Sequence, residues 1–277
     1  MSRHDNVKIF EDTINQCFIN RKLREAIDNS IEKQKVIDYT FNDTPARYGR
    51  PAKTIISRKR TFEAASKYKN KHVGVLNFAS YTNPGGGVFG GSRAQEEALC
   101  RCSTLYIPLK NTEKEYHEKH RQQIKDGEID VLYGDDCIYT PDVVVFKSDT
   151  SNPQMLDENE WYKVDVISAA APNLRKDPSN KYNPDSGNHQ IEISDYGLFN
   201  IQKSRIRQIF SIAKETGIEV LIVGAFGCGA FKNPPKVVAN AFKEVIEEFK
   251  NDFEVIEIAI AGTRDTRNLD TFRRVFN

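Results

Sequence analysis

Two uninterrupted apolar runs, HVGVLNFA (72–79) and EVLIVGAFG (219–227), each lead straight into a glycine-rich loop and then into a helix-like segment. A short apolar run bounded by charge, Gly and Pro reads as a buried strand. A strand that is apolar along its whole length has both faces covered, as in a parallel sheet with helices on either side. Three more such runs, DVVVFKS (142–148), YKVDVISAAAP (162–172) and FEVIEIAIAG (253–262), extend the pattern. Helix-like stretches fall among them: TFEAASKYKN with Thr61 as N-cap, a long helix from about Ser194 to Thr216, and PPKVVANAFKEVIEEF (234–249). Strands alternating with helices give an α/β fold with a mixed, mainly parallel sheet and helices on both faces.

The remaining segments are less regular. Residues 1–40 place Ile14, Phe18, Leu23, Ile27 and Ile31 at three-to-five-residue spacing, which predicts a helical extension laid on the core. Residues 41–60 carry Pro45, Gly49 and Pro51 and read as an extended loop or weak strand. Residues 111–135, opening with NTEKEYHEKHRQQIKDGEID, read as a solvated helix or surface excursion within an insertion-like segment, 110–136. His117 and His120 have the i, i+3 spacing of a metal pair, but Glu115, Glu118 and Lys119 around them predict a solvated face. The organisation expected is an N-terminal helical extension over 1–40 followed by one continuous α/β domain over 41–277.

Composition narrows the functional classes. Lys and Arg number 40 against 39 Asp and Glu, a net charge of +1, which argues against a dedicated DNA-coating surface. No window approaches the roughly 18 consecutive apolar residues of a membrane span. The opening MSRHDNVKIFEDTINQ lacks the apolar stretch of a secretory signal. Five cysteines without paired CxxC spacing predict reduced thiols in a cytoplasmic protein, with no disulfide framework and no zinc site. Cys100 and Cys102, two apart on one helix, point apart and make a poor metal pair. No metal and no cofactor is expected.

The two glycine-rich loops, NPGGGVFGG (83–91) and GAFGCGAFKNPP (224–235), both stand between a strand and the following helix. Glycine lets backbone N–H groups approach an anion closely, and the next helix adds its positive N-terminal end. In open α/β sheets, ligands gather where such loops meet at the carboxyl ends of strands. Two loops of this type suit a diphosphate held between them, although neither is a dinucleotide fingerprint or a P-loop. Ser92 and Gln95 fit a capping box for the helix behind the first loop. Glu96 and Glu97 follow in its first turns, diverging by about 100° on an ideal helix. On that geometry one acid faces the ligand and the other bonds elsewhere, and acids there also complement the helix dipole.

GGGVFGGSRAQEE resembles the glycine-rich, Gln-Glu-Glu signature of the poly(ADP-ribose) glycohydrolases of compact bacterial type, which are built on a macrodomain. The stretch 75–106 is similar to that group throughout, as are PDVVVFKSD (141–149), VISAAAPN (166–173) and LIVGAFGCGAFKNPP (221–235). The resemblance spans roughly residues 40–262 and implies a macrodomain-like fold that cleaves the ribose–ribose O-glycosidic bond of poly(ADP-ribose) and releases ADP-ribose. It implies Glu97 as the catalytic residue and Glu96 as holder of the ribose hydroxyls. Gly85, Gly86 and Gly87 would wrap the diphosphate from one side, with Gly227, Cys228, Gly229 and Ala230 on the other. Phe231 would pack against the distal ribose, Gln95 belongs to the signature, and Asn77 and Asn83 are candidates for ribose or adenine contacts. Cys228 itself reads as a packing residue, since no histidine is placed to activate it. The basic run SRKR (57–60) reads as ordinary surface that could meet a polyanionic polymer. The partner implied is an ADP-ribose polymer or an ADP-ribosylated protein, acted on by a monomer without membrane attachment. An enzyme acting on mono-ADP-ribosyl groups or an NAD-derived nucleotide, and a non-catalytic ADP-ribose reader, are the competing readings.

Overall fold

The apolar runs become strands whose alternate side chains feed two separate cores. The computed structural model describes residues 2–38, 45–181, 183–262 and 265–277. At its centre, β3 (Val73–Phe78) pairs in parallel with β5 (Tyr162–Ala169) on one side and with β6 (Val220–Val223) on the other. Beyond β6 lie β7 (Val255–Ala259) and β2 (Lys53–Ser57), also parallel. Beyond β5 the sheet turns antiparallel, through β4 (Cys137–Val145) and the short β1 (Lys35–Ile37). The order is therefore β1-β4-β5-β3-β6-β7-β2. β4 starts earlier than its apolar run suggests, because Cys137 to Thr140 pair before a bulge at Thr140/Val143 restarts the register.

Two helical layers cover this sheet. Leu76, Ile167, Leu221 and Ile256 point to the face packed by α7 (Asp195–Glu215), α8 (Pro235–Glu248) and α9 (Arg267–Phe276). Val75, Val166 and Ile222 point to the opposite core, filled with Phe62 of α3 (Thr61–Ala65), Leu99 of α4 (Gln95–Cys102), Leu109 of α5 (Tyr106–Asn111) and Phe10 of α1 (Arg3–Ile19). This period-2 division is what a sheet buried on both faces requires. Ser194 caps α7 by accepting from the Gly197 N–H, and Pro235 opens α8 where a missing N–H costs nothing.

The N-terminal segment is woven into the fold. α1 and α2 (Arg21–Lys33) are helical as their spacing predicts, and Asn20 accepts from the Lys22 and Leu23 N–H groups where α2 begins. The buried Lys147 ammonium donates to the Ile9 carbonyl, Asp12 and Thr13, and Ser30 donates to the Pro141 carbonyl. Asn6 donates to the Gly91 carbonyl at 3.0 Å, which brings α1 against the first glycine loop. The boundary expected at residues 40–41, and residues 41–44 of the expected loop, lie outside the described residues.

Three local expectations are corrected. Thr61 is the first helical residue of α3, and Arg60 holds the cap position. No capping box forms at Ser92 and Gln95: Ala94 caps α4 without a side-chain bond, because Gln95 is committed to β3. His117 and His120 are buried, not solvated. The π-helical turn Lys114–Glu118 and α6 (Lys119–Asp126) turn Tyr116 and both imidazoles inward. His120 stacks on Tyr81 at 3.7 Å with its Nε2 2.8 Å from an Asp136 oxygen, and Arg121 donates to the Thr82 carbonyl. Imidazole counts as polar in a sequence pattern, yet His120 packs as an aromatic ring with one nitrogen satisfied, and His117 is buried against Tyr116 with neither nitrogen hydrogen-bonded. The excursion thus braces the strand-to-loop segment 80–83. Among the described residues no helix is long and apolar enough to cross a membrane.

Candidate active site

α4 begins directly behind the first glycine loop, and that proximity resolves the geometry of the acid pair. Gln95, the first residue of α4, accepts from the Phe78 N–H at 2.8 Å and donates to the Leu76 carbonyl at 2.7 Å and to Thr61. It fastens the helix to the end of β3. Glu96 accepts from the Ser80 N–H at 2.8 Å, with the Asn77 amide 3.4 Å away. Glu97 accepts from the Gly87 N–H at 2.9 Å. The two carboxylates approach Gly86 from either side, despite their divergence on the helix. A Cβ built on Gly86 would stand 2.8 Å from Glu97 Oε1 and 2.9 Å from Glu96 Oε2. With φ of +57° as well, the position has room only for glycine. The divergence inferred from helix geometry therefore does not separate the two acids, because the loop folds over the helix start and both side chains reach it.

Both acids are buried. Burial, reinforced by the neighbouring Glu97 carboxylate, pushes the Glu96 carboxyl well above the ordinary range. Burial also pushes Glu97 up, with the Gly87 N–H and Arg101 working against it. Glu97 Oε2 makes no hydrogen bond within the protein. A carboxyl whose hold on its proton is strengthened by burial, with one oxygen anchored and the other uncommitted, is suited to donate a proton.

The second loop faces this pair across a cavity of about 1060 Å³. Asn233, buried beneath the loop, donates to the Pro172 carbonyl at 2.7 Å and to those of Gly227 and Phe231 at 3.3 Å, and accepts from Gln202 at 2.8 Å. A Cβ on Gly227 would collide with Ala171 and Asn233, and its φ is +74°. Leu174 donates to the Phe231 carbonyl, and the Arg175 guanidinium lies 5.6 Å from the centre of the Phe231 ring.

Of the residues singled out from sequence, Gly86, Gly87, Gln95, Glu96, Glu97, Gly227, Gly229, Ala230 and Phe231 line this one cavity. Four others stand behind the wall. Asn77 is fully buried between Glu96 and Ser168. Asn83 donates to Asn183 and the Pro184 carbonyl. Gly85 backs onto the Tyr106 ring, and Cys228 packs toward the core beneath α8. Burial pushes the Cys228 thiol up, away from a reactive thiolate. Sequence reasoning missed Ser80, Asn183, Arg175 and Asn233. Of these, Asn233, four residues past the last glycine of its loop, and Ser80, within the stretch 75–106, stood inside segments already singled out. Among the described residues no group of three or more His, Cys, Asp or Glu gathers as metal ligands would.

Comparison with known proteins shows the family and the fold. The family model for the catalytic domain of microbial-type PARG matches residues 10–148, and so includes most of the N-terminal helices that sequence resemblance did not reach. The structure is similar to that of a poly(ADP-ribose) glycohydrolase from Thermomonospora curvata, with a TM-score of 0.79 and 25% identity over 99% of this chain and 100% of that one. The same enzyme bound to the inhibitor ADP-HPD superposes with a TM-score of 0.77 at 25% identity, covering 98% and 99%. A poly(ADP-ribose) glycohydrolase from Deinococcus radiodurans in complex with ADP-ribose gives 0.71 at 26% identity, over 90% and 96%. No curated protein sequence matches the chain.

Proposed function

The chain belongs to the microbial-type poly(ADP-ribose) glycohydrolase family, and we propose that Glu97 is the general acid/base of its reaction. It is a hydrolase of glycosidic bonds that releases ADP-ribose from the polymer. The observation that carries the assignment is the buried acid pair flanking Gly86, with the Glu97 Oε2 uncommitted. In the first step the bond between the ribose carbon and the leaving oxygen breaks, and its electron pair stays on that oxygen. The protonated Glu97 supplies the proton, and the sugar becomes an oxocarbenium-like centre. Water then attacks the same carbon and gives its proton to the Glu97 carboxylate, which restores the acid.

The other roles follow from position. Glu96, anchored by the Ser80 N–H, holds the ribose hydroxyls beside the reacting carbon. The backbone of Gly86 and Gly87 faces one side of the diphosphate, and Gly227, Gly229 and Ala230 face the other, with Phe231 against the distal ribose. Gly85, Asn77, Asn83 and Cys228 shape these groups from behind, and Gln95 at the cavity wall fixes α4 to the end of β3. Residues 1–40 act as part of the catalytic unit, since α1 bonds to the first loop. The protein works as a cytoplasmic monomer with no dedicated DNA surface, a reading supported by its near-zero net charge and free thiols.

The test is hydrolysis of labelled poly(ADP-ribose) by the parent and by Glu97→Gln, with products resolved by chromatography. Release of ADP-ribose by the parent, and a loss of about 10³-fold or more in the variant, supports the assignment. Turnover that survives the substitution within tenfold refutes it.

A further inference from the structure

Arg101 is a charged side chain buried behind the acid pair. It is 4% exposed, in the last turn of α4, and its Nη1 donates to the Ser92 carbonyl at 2.7 Å. A guanidinium keeps its charge at any working pH, and burying one against a neutral carbonyl carries a desolvation cost that an apolar residue avoids. That cost falls beside Glu97, four residues earlier on α4. Residues at this spacing share a helix face, with Cβ atoms about 5–6 Å apart.

The hydrogen bonds around Arg101 form a closed circuit. The Ser92 N–H donates to the Gly87 carbonyl at 3.1 Å, and the Gly87 N–H donates to Glu97 Oε1 at 2.9 Å. The first glycine loop is therefore stitched to α4 at two points about one turn apart, by Glu97 at one and by Arg101 at the other. α1 fixes the outer side of this circuit. Asn6 donates to the Gly91 carbonyl at 3.0 Å, and the Thr13 hydroxyl, which accepts from Lys147, donates to the Arg101 carbonyl at 2.7 Å. Asn6 and Thr13 are seven residues apart, so they lie on one face of α1, about two turns from each other.

The charge of Arg101 acts on the same acid. Burial raises the Glu97 carboxyl, and Arg101 is the charged side chain that draws it back. The other charged groups around it are Glu96 on α4 and, at the cavity wall, Arg3, Lys59, Arg93, Arg175, Lys181 and the Arg60–Asp149 ion pair. Burial pushes the Cys100 and Cys102 thiols up, so both stay neutral. An acid that gives a proton and then takes one back works best when neither form is strongly favoured.

We propose that Arg101 is the positioning residue of the general acid: it closes the first glycine loop onto α4 and fixes the Glu97 carboxyl in place beside its own charge. The proposal rests on the glycohydrolase reading with Glu97 as acid, and adds to it a residue outside the cavity lining.

Polymer hydrolysis is followed from pH 5 to pH 9 for the parent, Arg101→Met, Arg101→Gln and Arg101→Lys, with Tm recorded for each. Arg101→Met is expected to lower kcat about 10- to 100-fold with KM within about threefold, because a displaced acid slows the chemistry and leaves binding. The rate falls with rising pH as Glu97 loses its proton. Without the neighbouring cation the carboxylate is less favoured, so this limb should move to higher pH. Arg101→Gln, also uncharged, carries the same expectation where Arg101→Met does not fold. Arg101→Lys keeps the charge and should hold the limb in place, with kcat within about fivefold of the parent. A limb that stays put in the uncharged variants, a loss borne by KM, or an Arg101→Lys enzyme as slow as Arg101→Met overturns the proposal. An arginine that merely stabilises the fold would give those results. Absence of ADP-ribose release by the parent brings down the glycohydrolase reading instead, and release by Glu97→Gln within tenfold of the parent brings down the assigned acid.

Discussion

Gly86→Ala separates what the first glycine loop does for stability from what it does for catalysis. Two costs arise. The backbone cost comes from φ of +57°, where an L side chain loses about 1–2 kcal/mol. Part of this is offset, since Ala also restricts the unfolded chain by about 0.4–1 kcal/mol. The net loss, about 1 kcal/mol, lowers Tm by about 2–4 °C for a chain of this size. The second cost falls on the acids. A methyl carbon 2.8 and 2.9 Å from the two carboxylate oxygens forces each to retreat by about half an ångström before contacts are ordinary. Carboxylates are the flexible ends of their side chains, so they yield cheaply and the fold survives. The hydrogen bond from Gly87 to Glu97 does not survive that shift intact, and half the 1 Å misplacement that costs about 10²-fold in rate still costs about 10-fold, with the weakened anchor adding to it. Polymer hydrolysis should therefore fall about 10-fold or more while the protein melts only a few degrees lower. Gly127→Ala is the control: it has φ of +74° with nothing within 4 Å, and should show a similar Tm loss with unchanged activity. Scanning calorimetry and the ADP-ribose release assay read both quantities. Activity of Gly86→Ala within threefold of the parent, or an equal rate loss in Gly127→Ala, would refute the reasoning.

Three further outcomes are expected. Both Glu96 and Glu97 have carboxyls raised on folding, so the folded state binds more protons than the unfolded one and their contribution to stability declines as pH rises above about 4.3, the unfolded value. Glu96→Gln removes one such group, and its Tm relative to the parent should climb between pH 5 and pH 8; a constant difference across that range contradicts the buried pair. Asn233→Ala strips the Pro172, Gly227 and Phe231 carbonyls of their shared donor and should cost about 2 kcal/mol, with a raised KM for the polymer; urea titration and steady-state kinetics read the two effects, and an unchanged KM would show that the second loop holds its shape without the clamp. Lys147→Met removes the donor to the Ile9 carbonyl, Asp12 and Thr13, and should speed amide exchange in residues 3–19 ahead of the sheet; uniform exchange rates would show α1 held by its apolar face alone.

The sequence made the central sheet and both loops legible for a physical reason. Strands buried on both faces are largely apolar, and turns with positive φ favour glycine, so β3, β6 and their loops leave signatures in residue type, although Lys232 in the second loop also takes a positive φ. The acid pair was legible as chemistry but not as geometry, because its convergence depends on a loop folding back over its own helix. β1 is only three residues long, and its signal disappears beside the helices that precede it. His117 and His120 were misjudged from their charged neighbours, since a π-helical turn re-aims side chains in a way that regular spacing does not anticipate. Asn233, Arg175 and Arg101 draw their meaning from contacts across the fold, which no local pattern encodes.

The short strand β1 also has a bearing on how this protein can be handled. Its pairing with Cys137, Ile138 and Tyr139 is the last row of hydrogen bonds on that side of the sheet, and Ser30 of α2 closes the neighbouring Pro141 carbonyl. A chain shortened to begin after residue 40 would uncover the flank of β4, a nine-residue strand buried along nearly its whole length. An exposed apolar flank of that kind recruits strands from other molecules. Trimming this end to favour crystallisation should therefore yield precipitate or strand-paired dimers, not a smaller active enzyme.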